Sequence, residues 1–197
     1  TARGGLPANV RRGGGMAALN WLIDREDPEA FLGELATGEL YFTMKEIGLG
    51  DSHILLDLAT PEQIRGILDL DLWTGHDVKL ERWIDWLDRA RSHSIDTALK
   101  LVQSTEPELL QLLFTREITV HPGDLDIDLV PDELQVIPSP DGAFWVTIPR
   151  DHELTDRLHD MMKLLWAADM DKMRDIFQTA RFDLPSSIEE TLIRFRQ

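Results

Sequence analysis

Hydrophobic residues through most of the chain recur at the spacing of an α-helix. Between residues 80 and 87 they occupy the first, fourth, fifth and eighth positions, which lie on one face of a helix. Comparable apolar faces occur at 95–102, 154–165 and 170–177. The pattern therefore predicts a mostly α fold.

Helix start and stop residues divide this pattern into short helices. Asp27-Pro28 and Thr60-Pro61 each place an N-cap residue before a proline at the first helical position, and Pro107 begins another helical run. Gly48 is typical of a helix C-terminus. We therefore expect a series of helices of one to three turns.

Short sequences at the helix boundaries repeat. The tripeptide Leu-Ala-Thr at 35–37 returns at 58–60, after 23 residues, and Pro-Glu at 61–62 returns at 107–108, after 46 residues. Short repeated helices cannot each bury their own apolar face, whereas stacking them side by side covers it. The repeat predicts a superhelical stack of short helices of the armadillo type.

One stretch departs from the helical pattern. Residues 134–137 and 143–148 read as strands, and the Pro-Ser-Pro-Asp-Gly sequence between them contains an Asp-Gly turn. We expect a small β-hairpin near 134–148.

These patterns predict four segments. Residues 1–15 are expected to form a flexible leader, 16–120 a helical-repeat domain, 121–150 an acidic loop with the hairpin, and 151–197 C-terminal helices packed on the same domain. Because the chain starts without a methionine and stops inside a helical pattern, we expect it to be a fragment of a longer protein.

Composition narrows the classes of partner. The chain has 197 residues, a formal net charge of −16 and no cysteine. Such a surface repels nucleic-acid phosphates and anionic membranes and leaves cations or basic proteins as partners. The alternative is that the acidic charge serves only solubility. The lack of cysteine excludes disulfides and thiolate metal sites. Since no apolar run reaches the roughly 18 residues that span a bilayer, we expect a cytoplasmic protein without membrane insertion.

The sequence Leu-Ala-Thr-Pro-Glu-Gln-Ile at 58–64 resembles the loop-and-helix unit of the cytosolic N domain of MgtE-type magnesium channels, and it is also similar to the middle domain of the flagellar switch protein FliG. Both are right-handed superhelices of short helices, which is the fold that the resemblance implies for 27–120. Residues 56–73 and 181–196 are similar to an uncharacterised bacterial family of larger proteins with no assigned activity.

The MgtE resemblance implies magnesium sensing through clustered carboxylates. Channel transport is not carried over because the chain shows no transmembrane part, and a motor role is not carried over because the torque-generating domain of FliG has no counterpart.

The leading candidate metal site comprises Asp69, Asp71 and Asp77, near Trp73 and His76. Hard cations such as Mg²⁺ bind several oxygen ligands, and two aspartates separated by one residue on a turn can supply a pair. The alternative is a solvated helix end.

A second acidic run, Asp-Leu-Asp-Ile-Asp at 124–128, begins like a calcium-binding loop. The sixth and twelfth positions hold Leu129 and Gln135 instead of the required Gly and Glu, so the match fails. The alternation fits an acidic edge strand or an extended loop better.

The third candidate is His152, Asp156 and His159, whose spacing predicts one shared helix face. The sequence His-Glu-Leu-Thr-Asp lacks the second His of the H-E-x-x-H zinc motif. The alternative is the solvated side of a helix.

Trp86 is the candidate interaction residue because it lies off the apolar stripe of 80–87, and exposed tryptophan favours protein interfaces. The alternative is that it caps a neighbouring helix.

Three functional hypotheses result. The leading one is a non-enzymatic helical-repeat scaffold that binds a protein partner, expected to be basic, with homo-oligomerisation left open. The second is a magnesium-sensing regulatory domain, and the third is a metal-dependent enzyme. No catalytic residue or cofactor is assigned, because nucleophile-elbow, P-loop and dinucleotide-binding motifs are all absent from the sequence.

Overall fold

The computed structural model describes residues 5–48, 51–75 and 77–182, without the side chains of Asp77 and Leu80. This part of the chain contains eleven α-helices and five short strands, so the mostly α prediction is confirmed. The chain divides into two compact units, Thr1–Thr105 and Glu106–Gln197. Residues 183–197 of the expected C-terminal helices lie outside the described residues.

Short helices make up the N-terminal unit. In chain order they are α1 (Ala8–Arg12), α2 (Gly15–Ile23), α3 (Pro28–Glu34), α4 (Thr37–Ile47), α5 (His53–Leu58), α6 (Pro61–Leu72), α7 (Leu80–His93) and α8 (Ile95–Ser104), with the antiparallel strands β1 (Trp73–Thr74) and β2 (Asp77–Val78) between α6 and α7. Helices α2, α4, α6 and α8 pack successively, each against the next, and so do α3, α5 and α7.

The segment 5–15 departs from the expected flexible leader. Helix α1 packs against α2, and Leu6 and Val10 are 3% and 6% exposed. The Glu39 carboxylate accepts a hydrogen bond from the Leu6 N–H at 3.0 Å and pairs with Arg11 at 3.0 Å. Two buried side chains anchor this glycine-rich segment, which is too few to produce a recognisable helical period.

Both copies of the Leu-Ala-Thr tripeptide lie where one helix ends and the next begins. Residues 35–37 join α3 to α4, and residues 58–60 join α5 to α6. Leu35 and Ala36 have extended backbone conformations, as do Ala59 and Thr60 at the second junction. The repeated sequence therefore forms the same kind of tight corner twice.

Gln63 connects the second corner to the first. Its N–H donates to the Thr60 hydroxyl at 3.2 Å and its Oε1 accepts from the Thr60 N–H at 3.0 Å, which is a reciprocal capping box. Its Nε2 donates to the Leu32 and Leu35 carbonyls at 2.7 and 2.9 Å. One amide that is 4% exposed thus caps the start of α6 and the end of α3.

The C-terminal unit combines a small sheet with three helices. Its elements are α9 (Pro107–Glu117), β3 (Thr119–Pro122), a 3-10 helix (Ile127–Leu129), β4 (Leu134–Pro138), β5 (Phe144–Pro149), α10 (Thr155–Ala168) and α11 (Met170–Ala180). The sheet is antiparallel in the order β3-β5-β4.

The expected hairpin is present as β4 and β5, with Val136 opposite Thr147. Strand β3 was not expected. It has four residues, and it is recognisable only through its pairing with β5, for example Val120 opposite Val146. Pairing on both sides makes β5 the central strand.

Aromatic rings hold the sheet against the helices of this unit. The Phe177 ring of α11 lies 4.7 Å from Phe114 of α9, 4.7 Å from Trp166 of α10 and 5.8 Å from Phe144 of β5, measured between centroids. Such contacts contribute beyond their buried area. Four elements therefore share one aromatic core.

We expect Gln63→Met to lower the free energy of unfolding by about 2–4 kcal/mol. The buried carbonyls of Leu32 and Leu35 lose their donor, and the Thr60 N–H loses its acceptor, the side-chain oxygen of Gln63. Chemical denaturation of the full chain measures the change.

Gln63→Glu is the informative companion variant. Its carboxylate still accepts from the Thr60 N–H but has no hydrogen to donate to the carbonyls of α3. Exposed Glu62→Gln is the control and is expected to change stability by less than about 0.5 kcal/mol. A Gln63→Met protein as stable as its parent would contradict this role.

Candidate functional site

Asp71, a candidate metal ligand, is the centre of a buried hydrogen-bond network in the N-terminal unit. It is 3% exposed. Its Oδ1 accepts from the Tyr41 hydroxyl at 2.8 Å and from Lys45 Nζ at 3.1 Å, while its Oδ2 accepts from Trp86 Nε1 at 3.0 Å. Arg82 donates to its backbone carbonyl at 2.6 Å. The network therefore joins α4, α6 and α7.

The donors in this network set the charge state of the carboxyl group. Burial of Asp71 opposes its ionisation, but hydrogen bonds from Tyr41, Trp86 and Lys45 outweigh burial and hold the pKa of Asp71 below its ordinary value. Burial and the hydrogen bond to Asp71 raise the pKa of Tyr41 to about 12. Tyr41 therefore stays protonated and donates to an ionised Asp71.

The structure does not bring Asp69 and Asp71 together. Both lie in the last turns of α6 rather than on a turn, and residues two apart on a helix point about 160° apart. Asp77 lies in β2, and its side chain is outside the description. Among the described residues, no three histidine or carboxylate groups are arranged to hold a metal ion. Cation binding at these aspartates stays a prediction.

Trp86 lies in the interior rather than on the surface. It is 3% exposed, and its indole N–H is directed to Asp71. The alternative interpretation was that Trp86 caps a neighbouring helix, whereas its indole bonds a side-chain carboxylate of α6. The off-stripe position of Trp86 reflects a polar partner on α6, which a hydrophobic pattern cannot reveal.

A second polar cluster joins α5 to α7 and α8. The Asp57 carboxylate contacts His93 Nε2 at 2.9 Å and accepts a hydrogen bond from the Thr97 hydroxyl, and Lys100 Nζ donates to the Asp57 carbonyl at 2.6 Å. The His93 and His53 rings stack at 3.9 Å. Because every contact links neighbouring helices, we interpret this cluster as structural.

The third candidate set is divided between two elements. His152 precedes α10, and its Nε2 lies 3.1 Å from the Glu117 carboxylate. Asp156 and His159 lie on α10 and face a groove beside β4. The three residues therefore do not share one helix face, and the zinc-enzyme hypothesis gains no support from them.

The acidic segment, defined as residues 124–133, presents apolar side chains to solvent. It contains five aspartate or glutamate residues and no lysine or arginine. Leu129 is 80% exposed and Ile127 is 45% exposed. Within the described chain, none of its carboxylates forms an ion pair. The alternating sequence indicated an extended acidic element, but it could not indicate that the apolar residues stay uncovered.

A groove of about 390 Å³ lies beside β4. It is lined by four consecutive strand residues, 135–138, and by Thr155, Asp156 and His159 of α10. Side chains of a strand alternate between the two sheet faces, so a cavity on one face would be lined by every second residue. Lining by consecutive residues places the groove along the edge of β4.

A second surface cavity, of about 330 Å³, lies in the N-terminal unit beside Phe42, which is 66% exposed. Its charged lining residues have both signs, since the Arg11 guanidinium pairs with the Glu39 carboxylate at 3.0 Å. This cavity therefore has no clear preference for a partner of either charge.

Family comparison extends over both units. A model for a family described as "Family of unknown function (DUF6178)" matches residues 6–197. The chain belongs to this family. The similarity to an uncharacterised family is thereby confirmed, whereas the MgtE and FliG resemblance stays a prediction. No curated protein and no solved structure matches the chain.

No helix in the described ranges of this DUF6178 chain combines the length and apolar character that crossing a bilayer requires.

Asp141 organises the turn between β4 and β5. Its carboxylate accepts from the Ser139 hydroxyl at 2.6 Å, the Ala143 N–H at 3.1 Å and Arg174 Nε of α11 at 2.7 Å. Burial opposes its ionisation, but these bonds outweigh burial and hold the pKa of Asp141 far below its ordinary value. The hairpin is thereby attached to α11.

Asp71→Asn is expected to lower the free energy of unfolding by about 2–4 kcal/mol, because an amide cannot accept from all three donors and leaves Lys45 without its counter-charge. The loss is expected to be equal in EDTA and in Mg²⁺ at matched ionic strength, since protein donors occupy the carboxylate. Denaturant titration measures both values.

The matched control is Asp85→Asn on the exposed face of α7, with an expected change within about 0.5 kcal/mol. A loss of stability by Asp71→Asn that occurs only in Mg²⁺ would show instead that the carboxylate serves a cation.

Asp141→Asn is expected to destabilise the protein at neutral pH by about 1.5–3 kcal/mol. Because the folded pKa is lowered, this stabilisation is present above the unfolded pKa of about 3.9 and is lost as pH falls through the folded value. Unfolding curves of parent and variant should therefore converge in acid. Asp175→Asn, at an exposed position, is the control. If parent and Asp141→Asn differ in the free energy of unfolding by the same amount in acid as at neutral pH, the stabilising role of the ionised Asp141 is contradicted.

Proposed function

We propose that this protein is a non-enzymatic interaction module that binds a basic protein partner through the acidic segment. The observation that carries the proposal is the exposure of Leu129, 80%, within a segment whose five carboxylates form no ion pair with any described residue. An apolar anchor surrounded by charge of one sign is typical of a surface that a complementary partner covers.

Hydrogen bonds within the chain hold the acidic segment in one conformation. Asp126 Oδ1 accepts from the Asp128 N–H at 3.3 Å, which caps the 3-10 helix, and the Leu129 N–H donates to the Asp126 carbonyl at 3.2 Å. Arg150, which directly follows β5, donates from Nε to the Asp132 carbonyl at 2.7 Å and holds the end of the segment. An ordered segment loses little conformational entropy on binding, which favours affinity.

Charge supports a basic partner over a neutral one. Counting from the sequence, Glu106–Gln197 contains 19 acidic and 9 basic residues, a net charge of −10 out of −16 for the chain. A field of this sign accelerates the approach of cationic surfaces and repels anionic ones. The exposed leucine then supplies the short-range apolar contact that charge alone lacks.

The N-terminal unit supports the scaffold part of the proposal. In superhelical stacks, a helix packs against the next helix but one along the chain. The same order of contacts joins α2, α4, α6 and α8, and it also joins α3, α5 and α7. We include an armadillo-like superhelix in the proposal on this ground. Cytoplasmic location belongs to the same proposal.

The test uses three synthetic peptides of about eight residues: alternating lysine–valine, a lysine–leucine peptide of equal charge that a covalent side-chain link holds in a helix, and alternating glutamate–valine. We expect at least one basic peptide to bind the full chain saturably in fluorescence anisotropy and the glutamate peptide not to bind. Leu129→Ser should weaken the basic complex by about tenfold, because it removes the apolar anchor.

Leu70→Ser is the matched control, since Leu70 is 50% exposed but lies on α6 in the other unit. It should leave the affinity unchanged. Equal binding of acidic and basic peptides, no binding of either basic peptide, or the same affinity for the Leu129→Ser variant would each overturn the proposal.

A further inference from the structure

Backbone hydrogen bonds define which side of β4 faces its neighbour. The Arg150 N–H donates to the Glu133 carbonyl and the Ser139 N–H donates to the Phe144 carbonyl, each at 2.9 Å. In an antiparallel pair, residues that exchange such bonds alternate with residues that do not. Every second residue from 133 to 139 therefore bonds to β5.

The residues of β4 that alternate with those bonded to β5 direct their backbone groups away from β5. These are Leu134, Val136 and Pro138, at the outer edge of the sheet. The Leu134 N–H is used in a bond to the Pro131 carbonyl, and proline has no N–H. Within the described ranges, Val136 is left with an N–H and a carbonyl that have no partner at this edge. Exposed groups of this kind are the template on which a further strand can pair.

The groove beside β4 has room for such a strand. Its two walls are the edge residues 135–138 and the first turns of α10, and its volume is about 390 Å³. An added strand lies about 4.8 Å from its neighbour. A chain placed in the groove would pair with Val136 on one side and contact Thr155, Asp156 and His159 of α10 on the other.

The charge of the groove indicates the occupant. Among the residues that the structure describes, Asp156 is the acidic residue of the lining, and no lysine or arginine belongs to it. The acidic segment leads directly into β4, so a chain lying along the strand continues towards further carboxylates. An extended segment with lysine or arginine is the complementary occupant.

We propose that β4 and α10 form a strand-addition site, in which an extended basic segment of a partner protein pairs with the open edge at Val136 and places a cationic side chain beside Asp156. This inference rests on the proposed function, to which it adds the binding mode and the conformation of the bound segment.

Pairing with a second copy of this chain is disfavoured by the same charges. Two copies joined through β4 would bring two Asp156 carboxylates and two acidic segments to one interface, and each copy carries a net charge of −16. Pro138 also shortens the edge, because it offers an acceptor but no donor. Such prolines are typical of edges protected against uncontrolled self-pairing.

The first experiment uses the alternating lysine–valine and helix-forming lysine–leucine peptides with the full chain. We expect the strand-forming peptide to bind more tightly, to shift the amide resonance of Val136 and to slow its hydrogen exchange. The same peptide N-methylated on alternate residues should bind about tenfold more weakly when the methyl groups face β4, because strand hydrogen bonds are lost. N-methylation in the other register is the control.

Two variants test the two walls. Val136→Pro removes the unpaired N–H, and Pro138 shows that this edge accepts proline. Asp156→Lys reverses the charge of the groove. Each should weaken the lysine–valine complex by about tenfold, whereas Asp175→Lys, at an exposed position of α11, changes the net charge equally and should not. If Val136→Pro does not fold, the N-methylated peptides test the same bond on the unaltered protein.

The outcomes separate this inference from the proposed function. Binding that depends on Leu129 but is unaffected by Asp156→Lys and by N-methylation would overturn strand addition alone, as would tighter binding of the helical peptide. Self-association of the chain by sedimentation, abolished by Val136→Pro, would show that the edge serves a second copy and would also overturn the inference. If neither basic peptide binds the unaltered chain, both the proposed function and strand addition are overturned.

Discussion

A polar group buried away from water must find a hydrogen-bond partner, and this constraint explains how the helices and strands of each unit are connected. In the N-terminal unit, Gln63 bonds α3 to α6 and Asp71 bonds α6 to α4 and α7. In the C-terminal unit, Asp141 bonds the hairpin turn to α11. Helices of about three turns have little independent stability, so these bonds set their registers, while apolar packing supplies most of the stabilisation.

Features that depend on local sequence were predictable. Thr60-Pro61 starts α6, and Asp-Gly in the Pro-Ser-Pro-Asp-Gly stretch marks the turn between β4 and β5, because capping and turn geometry involve residues adjacent in the chain. The helical faces were visible for the same reason. Strand β3 was not predictable, since its four residues are extended only through pairing with β5, more than twenty residues away.

The candidate site shows the same contrast between predictable local features and unpredictable long-range contacts. Asp71 was noticed as a carboxylate near Asp69, but its partners Tyr41 and Trp86 are 30 and 15 residues away, so the sequence could not show that its oxygens were occupied. The same contact explains the interior position of Trp86. Conversely, the Asp-Leu-Asp-Ile-Asp run indicated an acidic edge element, but the exposure of Leu129 depends on how the whole unit packs.

The edge of β4 is a different case, because Val136 is not fully buried and its outward backbone groups have no partner among the described residues. Val136 keeps its backbone groups at an open sheet edge, beside a groove whose lining includes Asp156. An unpaired edge favours association with any extended chain, so a protein that retains one needs a means of discrimination. The net charge of −16 supplies it, because it repels copies of the same chain and anionic partners but attracts cationic ones. The acidity that made nucleic-acid binding unfavourable thus acts together with the open edge to favour a basic strand.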